Sequence, residues 1–248
     1  MCGIGCVVCR EGNALEKAKK ILIGQENRGS SSSGIAFINN NKIEVVKDVK
    51  PPHEFVKNLN INSRVIITHS RAPSVGGVKI ENTHPFLSCD GKFALVHNGT
   101  FLAYGLLKNL LSSDHKIKGE TDSEIITHFI EEYGKLKGYK NILTSFEGQR
   151  LILLFKNKII GRGSFYVVKD REGVYITQEK DVLVEMFENE RKYCYKIDGY
   201  FEIDVESLRM EGDVKFVGRK VLKKNEENED LKLNFFGGIY GEDDFSFY

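Results

Sequence analysis

Chemistry can start at the second residue. Met1-Cys2-Gly3-Ile4 sets a thiol beside the chain start, and removal of the initiator methionine, which the small Cys side chain permits, leaves a thiol and a free α-amine on one residue. An α-amine titrates near ~7.7–8.0 and a free thiol near ~8.5, so moving a proton from sulfur to nitrogen costs little and the amine can serve as the base for its own nucleophile. A thiolate attacking an amide needs donors for the developing oxyanion. Asn98-Gly99 offers a side-chain amide and a neighbouring backbone N–H. Arg71, in Thr68-His69-Ser70-Arg71, and Asp122, in Gly119-Glu120-Thr121-Asp122, form a complementary pair for the carboxylate and ammonium of an amino acid. The chemistry these parts allow is hydrolysis of an amino-acid side-chain amide.

Other readings compete for the same residues. Cys2, Cys6 and Cys9 have the C-x3-C-x2-C spacing of an iron–sulfur cluster. Only Met1 precedes Cys2, however, and Gly3 to Val8 reads as a strand, which sends Cys6 and Cys9 to opposite faces. Those two cysteines are read as small buried hydrophobes. Asn98-Gly99-Thr100 also spells a glycosylation acceptor, a coincidence in a chain without a secretory signal. Asp122 in a first helical turn would also complement the helix dipole, worth ~0.3–1 kcal/mol.

The elements that must position these groups alternate between strand and helix. Gly3–Val8, Gly34–Ile38, Ile43–Val46, Arg64–His69 and Phe93–Asn98 read as strands, the second and third joined as a hairpin through Asn39-Asn40-Asn41. Ala14, Leu15, Ala18, Ile21 and Leu22 recur at helical spacing, and Leu102–Leu111 is also helix-like. Thr121 and Glu124 have the form of a capping box. It opens a helix with Ile125, Ile126, Phe129, Ile130 and Tyr133 on its buried face. Beyond Arg150 come strands at Leu151–Phe155, Phe165–Val168 and Val174–Thr177, then a short helix at Asp181–Phe187. Residues 2–222 are expected to form one α+β domain, and 223–248, polar and then aromatic, a mobile tail.

Six motifs in register resemble the glutaminase domain of class II glutamine amidotransferases, the domain found in glucosamine-6-phosphate synthase and amidophosphoribosyltransferase. They are Met1-Cys2-Gly3-Ile4, Asn27-Arg28-Gly29 with Ser33-Gly34-Ile35-Ala36, His69-Ser70-Arg71, His84-Pro85, His97-Asn98-Gly99 and Glu120-Thr121-Asp122-Ser123-Glu124. The resemblance implies an N-terminal-nucleophile hydrolase fold, a four-layer αββα sandwich of two antiparallel sheets. It implies Cys2 as nucleophile, Asn98 and Gly99 as oxyanion hole, Arg71 on the carboxylate of L-glutamine and Asp122 on its amine. Arg28 matches an arginine near the nucleophile, and Ser74 replaces the usual Thr that helps bind substrate. Ala72, Pro73 and Ser31 depart from the family pattern and could loosen glutamine specificity. His69, His84 and His97 are of a type that binds zinc, but the resemblance implies a structural use for each, so no metal and no cofactor are expected.

Composition bounds the partners. The 248 residues carry 36 Lys+Arg against 35 Asp+Glu, a balance that gives no general pull toward nucleic acid or an acidic membrane. No apolar run reaches the ~20 residues of a membrane span, and the N-terminus lacks a signal peptide. An odd cysteine count then suits reduced thiols in the cytoplasm. Domains of this kind deliver ammonia to a synthase domain, and none follows residue 222, so a separate synthase subunit is the expected partner. The rival expectations are a free-standing amidohydrolase acting on γ-glutamyl compounds and a catalytically silent regulatory subunit.

Overall fold

The computed structural model describes residues 1–190, 192–212 and 215–222; the expected tail at 223–248 lies outside the described residues. In chain order the elements are β1 (Gly3–Cys9), α1 (Leu15–Gly24), β2 (Ser32–Asn39), β3 (Lys42–Asp48), α2 (Pro52–Phe55), β4 (Val65–Arg71), β5 (Phe86–Leu87), β6 (Phe93–Asn98), α3 (Tyr104–Leu110), α4 (Asp122–Lys137), α5 (Tyr139–Thr144), β7 (Arg150–Phe155), β8 (Lys158–Lys169), β9 (Gly173–Thr177), α6 (Lys180–Met186), β10 (Lys192–Asp204), β11 (Met210–Glu211) and β12 (Lys215–Leu222).

Every strand pairing is antiparallel, and the main hydrogen-bonded order is β3-β2-β4-β1-β9-β8-β7-β6-β5. The ladder folds back on itself at β8. Residues Tyr166–Lys169 pair with β9, residues Ile159–Arg162 pair with β7, and β10 runs beside β8 from Lys158 to Val168. At the crossing point Gly163 lies opposite Gly199, with φ of 123° and 133°. Only glycine takes such angles without strain, so this pair lets both long strands turn from one sheet into the other.

Three apolar clusters define four layers. Ile4, Cys6 and Val8 of β1 meet Ala94 and Val96 of β6 and Ile152 and Leu154 of β7 in the cluster between the sheets. Val7 and Cys9, on the other face of β1, pack with Leu15, Ala18, Ile21 and Leu22 of α1 and Val182 and Leu183 of α6. Phe93, Leu95, Leu151 and Leu153 face Ile126 and Ile130 of α4 and Ile142 and Leu143 of α5. This is the αββα sandwich of an N-terminal-nucleophile hydrolase, its two sheets joined through β8. Cys6 and Cys9 fall on opposite faces, as a period of two requires, and burial pushes both thiols up. β1 is buried along its whole length because both of its faces are covered, which is why it reads as an unbroken apolar run. Among the described residues no helix is long and apolar enough to cross a membrane.

Candidate active site

The strand order sets the C-terminal ends of β4 and β6 beside the start of β1, and one small cleft opens there. It is lined by Cys2, Arg71, Ala72, Ser74, Val75, His84, His97, Gly99, Thr121, Asp122 and Ser123. Cys2 lies just before β1, and its thiol faces Ala72. The Sγ–H donates to the Ala72 carbonyl at 3.4 Å and the Ala72 N–H donates to Sγ at 3.4 Å. Burial pushes the thiol up; the Ala72 N–H, the N-terminal charge and Arg71 pull it down, and Asp122 adds to the rise. The net rise leaves the sulfur a thiol at neutral pH.

Arg28 holds the backbone of Cys2. Its Nε–H donates to the Cys2 carbonyl at 3.0 Å, and its guanidinium pairs with Glu179. Arg28 therefore ties the Cys2 backbone to Glu179.

Asn98 ends β6 and lies behind the cleft. Its Nδ2 donates to Gln178 Oε1 at 3.0 Å, and the same oxygen accepts the Ile4 N–H at 3.0 Å. Gln178 thus ties the nucleophile strand to the Asn side chain. Gly99, next in the chain, lines the cleft itself. Any β-carbon at Gly99 would overlap Oε1 of Gln149, which accepts from His97 Nε2 at 2.9 Å. The position is closed to every other residue without loss of that contact.

Arg71 and Asp122 bring opposite charges to the cleft. The Arg71 guanidinium donates to the carbonyls of Gly77 at 3.0 Å, Val75 at 2.9 Å and Gly76 at 3.4 Å, so it anchors the Ala72–Gly77 segment, which carries Ser74. Asp122 is the first residue of α4. Its Oδ2 accepts the Phe101 N–H at 2.7 Å and its Oδ1 the Ser123 N–H at 2.8 Å. The capping box forms only in part: Thr121 Oγ1 accepts the Glu124 N–H at 3.2 Å, but the Glu124 carboxylate turns to Lys118 and Gly119, with N–H contacts of 2.9 and 2.6 Å. That spends the second half of the box on fixing the loop that leads into Asp122.

His84 and His97 line the cleft, and His69 backs them. His69 stacks on His84 with ring centroids 3.9 Å apart, His69 Nε2 meets the His97 carbonyl at 3.0 Å, and His97 Nδ1 meets Ser123 Oγ at 2.8 Å. Burial brings His69 down to about 3 and lowers His84 and His97 as well. Neutral rings packed this closely are wall material; among the described residues they are not part of any group with metal-ligand geometry.

Of the residues expected from sequence, Cys2, Arg71, Ser74, Gly99 and Asp122 share the cleft, while Asn98 and Arg28 are not among the residues that line it and reach Gln178 and the Cys2 carbonyl. Sequence reasoning missed Gln178, Glu179 and Gln149. Each follows a strand or turn as an ordinary polar residue, and only the fold shows what it reaches.

The profile of class-II glutamine amidotransferases matches residues 22–196, a span that begins beyond Cys2. The glutamine–fructose-6-phosphate aminotransferase (isomerizing) of Sulfurisphaera tokodaii is 36% identical over 181 residues, covering 68% of this chain and 30% of that protein. The Streptococcus pyogenes enzyme of the same name is 31% identical over 235 residues, covering 86% of this chain and 39% of that protein. This chain thus spans between 30% and 39% of the length of these two relatives. Among solved structures, the glutamine phosphoribosylpyrophosphate amidotransferase of B. subtilis, complexed with ADP and GMP, superposes with a TM-score of 0.63 at 18% identity, over 82% of this chain and 49% of that one. An allosteric regulatory enzyme of purine biosynthesis gives a TM-score of 0.66 at 19% identity, over 83% and 49%.

Proposed function

The chain belongs to the class II glutamine amidotransferases, and from that premise we propose that it hydrolyses the side-chain amide of L-glutamine at Cys2 and supplies the ammonia to an amination centre on a separate synthase subunit. One observation carries the reading: a thiol, a guanidinium, a carboxylate and Gly99 line a single cleft. The guanidinium of Arg71 and the carboxylate of Asp122 suit the two charged ends of an amino acid, which leaves the side-chain amide directed at the sulfur. Because Arg71 is engaged by the carbonyls of Val75, Gly76 and Gly77, the glutamine carboxylate must displace them, and Ser74 moves with that segment.

In this mechanism the mature chain begins at Cys2. The free α-amine takes the thiol proton, a necessary step for a sulfur whose burial disfavours the thiolate. Sulfur attacks the amide carbon, and the oxyanion is held by the second Asn98 Nδ2–H and the Gly99 N–H. The ammonium of Cys2 returns its proton to the departing nitrogen as the C–N bond breaks, releasing ammonia. Water activated by the same amine then cleaves the thioester to glutamate and restores the thiol.

The partner reading has its own support. Leu102, Leu106 and Leu110 are 87%, 69% and 56% exposed, four residues apart on and just before α3, so they form one apolar stripe. That stripe begins three residues after Gly99, and a face of this kind suits a protein partner.

The test is glutamate and ammonia release by the purified chain, with mass spectrometry of its N-terminus. Loss of activity in Cys2→Ala with the fold retained supports the mechanism, and full activity in protein that keeps Met1 defeats it. Co-purification of a synthase whose acceptor raises the glutaminase rate supports the partner. Full, uncoupled activity on a γ-glutamyl peptide favours the free-standing amidohydrolase instead.

A further inference from the structure

About two turns along α4 from the cleft-lining Asp122, three chain segments bring four ligand-type side chains to one point. Cys89 comes from the β5–β6 turn, His115 from the loop between α3 and α4, and His128 and Glu131 from one face of α4. We propose that Cys89, His115, His128 and Glu131 form a structural zinc site.

The geometry is that of a coordination shell. Cys89 Sγ lies 3.7 Å from His115 Nδ1 and 3.6 Å from His128 Nδ1. Oε2 of Glu131 lies 3.4 Å from His115 Nδ1 and 3.3 Å from His128 Nδ1. Tetrahedral zinc with a Zn–S bond of ~2.3 Å and Zn–N and Zn–O bonds of ~2.0–2.1 Å has S–N edges of about 3.5 Å and N–O edges of about 3.3 Å. Four of the six edges therefore already have nearly the required length. All four atoms lie within 4.8 Å of one another, so the widest gap closes by about 1.5 Å or less on binding, a movement open to the exposed Cys89.

The hydrogen bonds around the cluster point to a cation. His115 Nε2 lies 3.1 Å from Glu132 Oε2, which also accepts the Ser112 N–H at 3.0 Å. A neutral His115 that donates its Nε2–H to this carboxylate turns the Nδ1 lone pair toward Glu131 Oε2 and the sulfur of Cys89. Facing electron pairs at these distances repel unless a proton or a cation lies between them. The carboxylate–imidazole pairing is also the arrangement that orients histidine ligands around metals. Glu131 adds to the requirement. Its side chain is 5% exposed, and among the described residues it makes no ion pair with Lys or Arg. Its Oε1 accepts the Asp90 N–H and its Oε2 the Cys89 N–H, both at 2.9 Å, which holds the carboxylate against the 89–90 turn with Oε2 facing the two imidazoles. A divalent ion neutralises Glu131 and the Cys89 thiolate together.

Ligand chemistry selects the ion. One thiolate, two imidazoles and one carboxylate suit zinc, and four protein ligands leave no open position for water or substrate, the mark of a structural site. Its effect would be to tie α4 to the 88–90 turn and the 112–115 loop. The histidines that sequence reading weighed for zinc, His69, His84 and His97, are not involved.

The test uses the full chain carrying Cys2→Ala, which removes the other accessible thiol, stripped of metal with a chelator. Zinc chloride is expected to bind at one equivalent per chain in competition with a chromophoric chelator, and to raise Tm by roughly 8–16 °C at free zinc ~1,000-fold above Kd. Cobalt chloride should give the intense visible bands of four-coordinate cobalt together with a sulfur-to-cobalt charge-transfer band. Cys89→Ser should abolish that band and weaken zinc binding at least ~100-fold, and Glu132→Gln should weaken it by ~10–100-fold. No stoichiometric zinc, a six-coordinate cobalt spectrum, or undiminished zinc binding in Cys89→Ser would each overturn the site. Should Cys89→Ser fail to fold, the cobalt spectrum of the chain with an intact cluster decides alone.

Discussion

Asn98 and Gln178, 80 residues apart in sequence, are joined by a single buried hydrogen bond of 3.0 Å from Nδ2 to Oε1. Because the same oxygen takes the Ile4 N–H at 3.0 Å, Asn98, the proposed oxyanion donor, and β1, which follows the proposed nucleophile Cys2, hang from one atom. Catalysis by preorganised donors depends on that registry.

Gln178→Leu should therefore lower kcat by ~10–100-fold with little change in KM, a smaller loss than the ~10²–10³ expected for removing an oxyanion donor outright. The leucine also leaves two buried donors unpaired, at about 1–3 kcal/mol each, so Tm should drop. Gln178→Glu keeps an acceptor oxygen and should recover most of kcat. Steady-state kinetics on both variants, with thermal melts, separates the two effects: an equal loss in kcat for Leu and Glu would show that the shared oxygen is not what matters.

The state of the Cys2 thiol gives a second prediction. Burial raises it, so protein that keeps Met1 should react slowly with iodoacetamide at pH 7, the rate climbing about tenfold per pH unit. Protein that begins at Cys2 should react faster at pH 7 and lose that slope above the amine's pKa, ~7.7–8.0. Alkylation rates on the two N-terminal forms, sorted by mass, check it; identical profiles would remove the amine from the mechanism.

Much of this site was legible because its residues carry chemistry in short, fixed runs. Cys2, Arg71, Gly99 and Asp122 were readable as a set, and the first strands and α4 were readable from periodicity. What escaped depends on long-range pairing. β10 (Lys192–Asp204) was missed as a strand. Gly161 and Gly163 broke the reading of β8, which was recognised only from Phe165 although it begins at Lys158. Those glycines are where the sheet turns, so the signal that hid the strand is also the reason for its shape. Gln178 and Glu179 could not be found at all, since nothing local distinguishes a Gln that holds two donors from a Gln in solvent. The helix expected at Leu102–Leu111 exists as the shorter α3, Tyr104–Leu110, and it buries none of its residues.

The histidine wall makes stability sensitive to acid. His69, His84 and His97 have folded-state pKa values lowered from 6.5, His69 to about 3, because burial penalises the charged ring. Below pH ~6.5 the unfolded chain takes up protons that the folded chain refuses, so stability is full above that pH and falls as pH drops toward 3. Urea midpoints between pH 7 and 4 should decline with a slope corresponding to the uptake of two to three protons. His69→Asn, which cannot titrate, should flatten the slope by about one proton; an unchanged slope would place the acid sensitivity elsewhere.

The exposed stripe on α3 separates hydrolysis from delivery. Leu106 is not among the residues that line the cleft and is 69% exposed, so Leu106→Glu should leave Tm nearly unchanged and the basal glutaminase rate within about twofold, as surface substitutions usually do. If the stripe is where the synthase subunit docks, the buried carboxylate would find no partner in the apolar contact and binding should weaken by ~10–100-fold, from a desolvation cost of about 1–3 kcal/mol. Acceptor-dependent stimulation would vanish with it. Analytical gel filtration with the co-purified synthase, beside ammonia-transfer assays, reads both. A variant that binds and couples as the parent does would move the docking face away from α3, and leave the reading of Cys2 untouched.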